Sequence, residues 1–101
     1  MFVSRLSFST IPGKGHEAAG QLMSLAKTIE SVTGTRPRVV RTHFASLGEA
    51  DFQLEQEVPT LAELETELRA VTANDDFRRW SEGFSKLLLR SPQREILEIV
   101  E

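Results

Sequence analysis

Hydrophobic and polar residues alternate most regularly in residues 38–58, and this segment predicts a β-hairpin. Its two arms are residues 38–44 and 51–58, joined by residues 45–50. In the second arm the apolar residues occupy alternate positions, so one face of that strand is apolar and the other is polar. Gly48 in the connection can adopt the positive φ that such loops need. The rest of the chain must cover the apolar face.

The same reasoning predicts a strand and a long helix before the hairpin. A first strand of about eight residues begins at Phe2, and Pro12-Gly13 follows it. A helix begins at about Lys14 or Gly15, and Gly34 caps its end. Its apolar residues are spaced 4, 3, 4 and 3 apart and form one stripe: Ala18, Leu22, Leu25, Ile29 and Val32.

Two further helices and a last strand follow the hairpin. Thr60 and Glu63 form a capping box at the start of the second helix. Asn74 caps a short third helix. The apolar residues of the last strand, predicted at residues 94–100, complete the order β-α-β-β-α-β, with one extra helix before the last strand.

This order predicts an α+β, ferredoxin-like fold, in which a βαββαβ chain places its helices on one face of a four-stranded antiparallel sheet. Right-handed crossovers put strands 1 and 3 in the centre, strand 2 beside strand 3 and strand 4 beside strand 1. The residues predicted to pack beneath the helices are Phe2, Leu6, Phe8, Val40, Phe44, Phe52, Leu54, Val58, Leu97 and Ile99. The opposite face is predicted to carry Val3, Arg5, Ser7, Val39, Arg41, His43, Gln53, Glu55, Glu57, Ile96, Glu98 and Val100.

Composition narrows the class of protein. A chain of 101 residues with 40% hydrophobic and 27% charged residues indicates one soluble domain, residues 1–101. A net charge of −3 argues against binding to nucleic acid or to an anionic membrane, and no apolar run is long enough to span a bilayer. The absence of cysteine and of a signal-peptide pattern makes a cytoplasmic location the expectation. RNA-recognition domains have the same element order, but the third strand offers no aromatic residue on its polar face.

The layout resembles the dimeric α/β-barrel superfamily, which includes the antibiotic-biosynthesis monooxygenase-like proteins. The resemblance covers the whole chain and rests on residues 11–14 (IPGK) after the first strand, on the hairpin, and on residues 74–80 (NDDFRRW) before the last strand. It implies a homodimer whose two sheets face each other and enclose a cavity. Members of that superfamily oxidise small aromatic compounds, degrade haem or isomerise their substrates.

The chain departs from the catalytic patterns of that superfamily. Cofactor-independent monooxygenases of this type use Asn, Trp and Tyr, whereas this chain has no Tyr, one Asn (Asn74) that is predicted to cap a helix, and one Trp (Trp80). The haem-degrading members need an axial His on the second helical region, and residues 78–81 provide none. The two histidines, His16 and His43, lie too far apart in sequence for a typical metal-ligand spacing. We therefore expect neither a cofactor nor a metal.

The face predicted to lie opposite the helices carries most of the candidate site residues. His43 has a side chain whose pKa suits a catalytic base, although a hydrogen-bonded strand histidine is the simpler interpretation. Arg41 and Glu55 are predicted to lie opposite each other in the hairpin, and Arg5 and Glu98 could form a second cross-strand ion pair. Alternatively, Arg5, Arg41 and His43 form an enclosed polar pocket that receives an anionic group of a ligand.

Trp80 completes the candidate ligand site, since with Phe77 and Phe84 it could form an apolar wall at the mouth of the barrel. An aromatic stripe at helical spacing is more often part of a core. Two functions therefore stay open. One is a cofactor-independent monooxygenase-like enzyme that acts on a small aromatic or acidic molecule in the barrel, and the other is a non-catalytic ligand-binding or structural dimer. The shape of the space beside the sheet should discriminate between them.

Overall fold

The computed structural model of the chain describes residues 1–45 and 47–101. The strands are β1 (Phe2–Phe8), β2 (Arg38–Arg41), β3 (Phe52–Val58) and β4 (Gln93–Glu98). The helices are α1 (Gly15–Thr33), α2 (Leu61–Thr72) and α3 (Asp75–Phe84), and a short 3-10 turn, Ser85–Leu87, follows α3. The strands form one antiparallel sheet in the order β2-β3-β1-β4. The predicted α+β, ferredoxin-like fold and its strand order are confirmed.

The helix ends lie where the capping residues predicted them. Thr60 accepts a hydrogen bond from the backbone N–H of Glu63 at 3.1 Å, and Asn74 accepts one from Phe77 at 3.0 Å. Gly34 ends α1 in the left-handed conformation with φ of 82°. Among the described residues, no helix is both long enough and apolar enough to cross a membrane. Each cap satisfies a backbone group that the helix itself leaves free.

The hydrophobic core lies between the helices and one face of the sheet. The predicted stripe of α1 faces this core, with its first four residues buried and Val32 half-buried. Phe8 of β1 and Phe84 of α3 meet edge to face, with ring centroids 5.4 Å apart. The buried cluster consists of Phe8, Ala18, Leu22, Leu25, Ile29, Phe52, Leu54, Val71, Phe84 and Leu87. We refer to this face of the sheet as the helix side.

The hairpin forms as predicted, although its first arm is shorter. The connection contains Gly48 with φ of 88°, and β2 ends at Arg41. Asp51 ties the base of the hairpin to the end of β1. Its carboxylate accepts a hydrogen bond from the Thr10 N–H at 3.1 Å, and its own N–H donates to the Phe8 carbonyl at 3.0 Å. These bonds hold the connection over one end of the sheet.

The prediction of which side chains of β2 face the helices was wrong. Val39 lies opposite Leu54 and Arg41 lies opposite Phe52, so Val39 and Arg41 are on the helix side and Val40 is on the opposite face. A strand of four residues with two adjacent valines has no alternation that specifies one phase. The register with β3 decides the phase instead, and a shift of one residue reverses every side chain.

The same correction applies to β4 and to the residues that flank the strands. Leu97 lies opposite Val3 and therefore faces away from the helices, whereas Ile96 lies on the helix side. Phe44, predicted to be in the core, follows β2 and is 89% exposed. Ile99, also predicted beneath the helices, lies beyond the end of β4. Adjacent apolar residues again left the phase of the strand undetermined.

Two substitutions in β3 test the assignment of its faces. We predict that Leu54→Ala, which truncates a buried side chain, lowers the free energy of unfolding by about 2–5 kcal/mol. Glu57→Ala, at an exposed position of the same strand, should cost less than about 1 kcal/mol. Urea denaturation followed by circular dichroism measures both. A larger cost for Glu57→Ala than for Leu54→Ala would mean that the faces are reversed.

Candidate functional site

The face of the sheet opposite the helices, here called the open face, is mostly polar. Register places its side chains in rows across the strands. Gln53, Ser7 and Gln93 form one row, and Glu55, Arg5 and Glu95 form the next. The complete set is Val3, Arg5, Ser7, Arg38, Val40, Gln53, Glu55, Glu57, Gln93, Glu95 and Leu97. Only three of these residues are aliphatic, so the open face is not a second hydrophobic core.

Glu55 joins three strands on the open face. Its Oε2 accepts a hydrogen bond from Arg5 Nε of β1 at 2.7 Å, and its Oε1 accepts one from Arg38 Nη2 of β2 at 2.9 Å. Both arginines lie opposite Glu55 in register. The carboxylate side chain is only 11% exposed, although it carries a charge. Two guanidinium groups therefore compensate one nearly buried carboxylate.

This arrangement lowers the pKa of Glu55. Desolvation alone would raise the pKa, because burial disfavours the charged form. The hydrogen bonds from Arg5 and Arg38, together with their Coulombic attraction, outweigh desolvation and hold the pKa below its ordinary value of 4.5. Glu55 is therefore ionised at neutral pH.

A cleft of about 980 Å³ opens on the open face, at the end nearest the hairpin connection. Its floor includes the row of Gln53, Ser7 and Gln93. Residues 48–50 and 90–91 also line it. The aromatic side chains of the core lie on the other side of the sheet, so the cleft is lined mainly by polar groups. Such a cleft suits a small polar molecule better than a bare aromatic ring.

Arg90 lies at the edge of this cleft and was missed by the sequence analysis. Its Nε and Nη2 donate to Ser9 Oγ at 3.1 and 2.9 Å, and Nη2 also donates to the Gly48 carbonyl at 2.6 Å. A backbone hydrogen bond from Leu89 to Ser9 brings this segment to the end of β1. Because Arg90 and Ser9 are 81 residues apart, no local sequence pattern could have indicated their contact.

The structure brings together two of the predicted site residues, Arg5 and Glu55, and both line the cleft. The predicted pairing of Arg41 with Glu55 was wrong, because Arg38 occupies that register position. The predicted pairing of Arg5 with Glu98 was also wrong, since Glu95 is the residue opposite Arg5 in β4. Both errors follow from the reversed phases of β2 and β4.

Arg41 lies on the helix side, away from the cleft. Its guanidinium carbon is 5.2 Å from the centroid of the Phe52 ring, which is a cation–π distance. Arg41, His16 and Asp51 contribute to a smaller, separate cleft of about 380 Å³ beside the start of α1. In residues 1–45 and 47–101, no three His, Asp or Glu side chains converge as they would around a metal ion.

His43 and Trp80 also lie outside the cleft. His43 follows β2, is exposed, and contacts the ring of Phe44 edge to face at 4.8 Å. Trp80 belongs to the helical layer, where it stacks on Phe84 with ring centroids 4.5 Å apart. Its indole N–H donates to the Gln21 carbonyl of α1 at 2.7 Å. The sheet therefore separates Trp80 from Arg5 and Glu55.

Arg94 borders the cleft, but its charged group is directed elsewhere. In register with Leu6, it belongs to the helix side of β4. Its Nη1 donates a hydrogen bond to Ser4 Oγ, which is buried. Desolvation lowers the pKa of Arg94, and the guanidinium nevertheless stays charged at any ordinary pH.

Comparison with known proteins identifies the fold. No protein-family model and no curated protein matches the sequence. A NIPSNAP domain protein from Burkholderia xenovorans has a TM-score of 0.81 at 11% identity, over 99% of this chain and 95% of its own. A NIPSNAP family protein from Agrobacterium tumefaciens has a TM-score of 0.80 at 14% identity, over 99% of this chain and 86% of its own. A proposed antibiotic biosynthesis monooxygenase from Nitrosomonas europaea has a TM-score of 0.74 at 11% identity, over the full length of both chains.

These likenesses cover nearly the whole chain, and their low identity limits them to the fold. They confirm the resemblance predicted from the order of helices and strands. The chain has the ferredoxin-like fold that these NIPSNAP and antibiotic biosynthesis monooxygenase-like proteins share.

Proposed function

We propose that the protein is a homodimer that binds a small molecule on the open face, between the sheets of its two subunits. The observation that carries this proposal is the polar cleft of about 980 Å³. Its volume falls in the range of small-molecule sites, and it contains several side chains that can form hydrogen bonds. A sheet face that only packs against another surface would be expected to be apolar, with no cleft between its side chains.

The composition of the open face supports the dimer. Val3, Val40 and Leu97 are half-buried there, although no helix covers them. A two-fold axis brings the same surface of two subunits together, so this surface must complement itself. The open face carries both signs of charge, with Arg38 on one edge strand and Glu95 on the other, as self-complementary contact requires. A second subunit would also add burial to a domain of only 101 residues.

The geometry favours binding over catalysis. Arg5 and Glu55, the predicted ligand-binding residues that line the cleft, are hydrogen-bonded to each other. His43, the predicted catalytic base, is not among the residues that line it. A general base must come within hydrogen-bonding reach of the proton that it removes, directly or through one water. The proposal therefore assigns no catalytic residue.

A cofactor-independent monooxygenase-like activity is the second candidate. The structural likeness to a proposed antibiotic biosynthesis monooxygenase favours it. In this candidate the cleft would hold a small aromatic or acidic substrate, and Arg5 would contribute to binding of an acidic group. The polar lining of the cleft fits an acidic substrate better than an unsubstituted aromatic one.

The dimer gives the first prediction of this proposal. Light scattering at micromolar concentration should give twice the mass of one chain. Leu97→Arg places a charge on the open face and should shift the mass toward that of the monomer. Leu61→Arg makes the same change at an exposed position of α2 and should leave the dimer intact. A monomer mass for the unmodified protein, or an equal effect of both substitutions, would contradict the dimer.

Binding gives the second prediction. In a titration followed by 1H–15N NMR, at least one member of a panel of small aromatic and hydroxylated acids should shift the backbone signals of Ser7, Gln53 and Gln93. Signals of Glu65 and Arg69, exposed on α2, serve as the control and should not move. Oxygen consumption is then measured with each acid that binds. Sustained consumption would support the monooxygenase and contradict the non-catalytic proposal.

The lowered pKa of Glu55 gives a third prediction. Glu55→Gln should lower the free energy of unfolding by about 1–2 kcal/mol at neutral pH, because charge-assisted hydrogen bonds to Arg5 and Arg38 are weakened. A carboxylate with a depressed folded-state pKa stabilises above its unfolded value, so this difference should be complete above pH 4.5. It should disappear as the pH falls through the lower folded-state pKa.

Denaturation of wild type, Glu55→Gln and Glu57→Gln at several pH values provides the measurement. Glu57 lies two residues along β3 and is exposed, so its substitution controls for the loss of one negative charge. A difference for Glu55→Gln that stays constant down to the most acidic pH would show that Glu55 does not titrate below its ordinary pKa.

A further inference from the structure

The arginines that border the cleft differ in how their charge is compensated. Arg5 is ion-paired with Glu55 at 2.7 Å. Arg94 donates to Ser4 Oγ on the helix side. Arg90 donates only to neutral oxygen atoms, and it has no carboxylate within ion-pair distance in the part of the chain that the structure describes. Arg94 also lacks a carboxylate partner among the described residues, but it lies on the helix side of β4. Arg90 is therefore the guanidinium at the cleft that can accept a negatively charged partner without losing an existing one.

Hydrogen bonds also hold Arg90, although its side chain is exposed. Ser9 and the Gly48 carbonyl hold its Nε and Nη2 through three contacts between 2.6 and 3.1 Å. The Nη1 group carries two further N–H donors, and no described residue accepts from them. A guanidinium with free donors suits a carboxylate, because hydrogen bonds between two charged groups are short and strong. Holding the side chain in place reduces the entropy lost on binding.

The floor of the cleft offers neutral hydrogen-bonding groups beside this charge. Ser7 and Gln53 are paired in register, and Gln93 lies on the other side of Ser7. The Gln53 amide nitrogen donates to Thr42 Oγ1 at 2.8 Å, which leaves its amide oxygen available as an acceptor. Hydroxyl and amide groups that both donate and accept are suited to hydroxyl groups of a ligand. An unsubstituted aromatic ring would leave them without partners, at a cost in free energy.

Two carboxylates limit the charge of the ligand. Glu49 and Glu95 line the same cleft, and neither forms an ion pair with a described arginine or lysine. Both carboxylates repel any anionic group in the cleft, and Arg90 can compensate a single negative charge, so a second one would be repelled without a cation to offset it. The site is therefore suited to one carboxylate rather than to a dicarboxylate or a phosphate.

Resting on the proposed binding function, we infer that the ligand is a small monocarboxylic acid that carries hydroxyl groups. Its carboxylate binds Arg90 at Nη1, and its hydroxyl groups contact Ser7, Gln53 and Gln93. Arg5 remains paired with Glu55, so it lines the cleft but does not bind the carboxylate of the ligand. Arg90 is then the residue that sets the preference for an acid over a neutral molecule.

Three probes that differ mainly in charge test this inference on the full chain. Sorbitol is neutral, gluconate carries one carboxylate, and glucarate carries two. Each is titrated into 15N-labelled protein, and the signals of Ser7, Gln53, Gln93 and Gly48 are followed. Gluconate should bind about tenfold or more tightly than sorbitol, because a hydrogen bond between charged groups is stronger than one between neutral groups. Glucarate should bind more weakly than gluconate.

Substitution of Arg90 tests its role directly. Arg90→Gln should weaken gluconate binding by about tenfold and leave sorbitol binding unchanged, because only the charged group is lost. Arg90→Lys should restore part of the affinity. Arg79→Gln, on the exposed surface of α3, is the matched control and should bind gluconate as wild type does. Unchanged gluconate affinity in Arg90→Gln would overturn the inference, and if that variant does not fold, the comparison of the three probes on wild type decides.

The outcomes also separate this inference from the proposed function. The inferred ligand class would be wrong if sorbitol and gluconate bind with equal affinity, or if glucarate or benzoate binds more tightly than gluconate. If the shifts in those cases are confined to the cleft, the proposed binding site would still be supported. No shift in the cleft with any of these probes or with the wider panel of acids would overturn both.

Discussion

The antiparallel register between β1 and β3 is the constraint on which the core and the cleft both depend. It places Leu6 opposite Leu54 on the helix side and, one residue earlier in β1, Arg5 opposite Glu55 on the open face. A slip of β1 by one residue would place Arg5 beneath the helices and Leu6 on the open face. Burial of the apolar set prevents that slip, so the hydrophobic core also aligns the polar rows of the cleft.

Glu55 extends this register to the short edge strand. β2 has only four residues, and few backbone hydrogen bonds hold it to β3. The contact between Arg38 and Glu55 adds a side-chain link across the same pair of strands, while Arg5 provides the link to β1. The hydrogen bonds and charges of both arginines outweigh the desolvation of this carboxylate and lower its pKa. Both guanidinium groups therefore hold a hydrogen bond within the sheet, and the carboxylate offsets one of their two positive charges.

The sequence predicted those elements whose pattern is unambiguous. Alternation along β3 identified its buried face, and single capping residues such as Thr60 and Asn74 marked helix starts. β2 and β4 each contain adjacent apolar residues, and either phase of such a strand buries one of them. Only pairing with a neighbouring strand selects the phase, so the faces of Arg41 and Leu97 could not be obtained from local pattern.

The candidate site was harder to predict for a related reason. The side chains of His43, Arg41 and Trp80 have chemistry that suits a functional site, but such a site also depends on what each side chain already contacts. Arg5 and Arg90 are chemically identical, yet one is opposite a carboxylate and the other is held by a hydroxyl and a carbonyl from distant segments. Whether an arginine can bind an anion is therefore a property of its partners. That property arises from the fold, where β1, the hairpin connection and the segment before β4 converge.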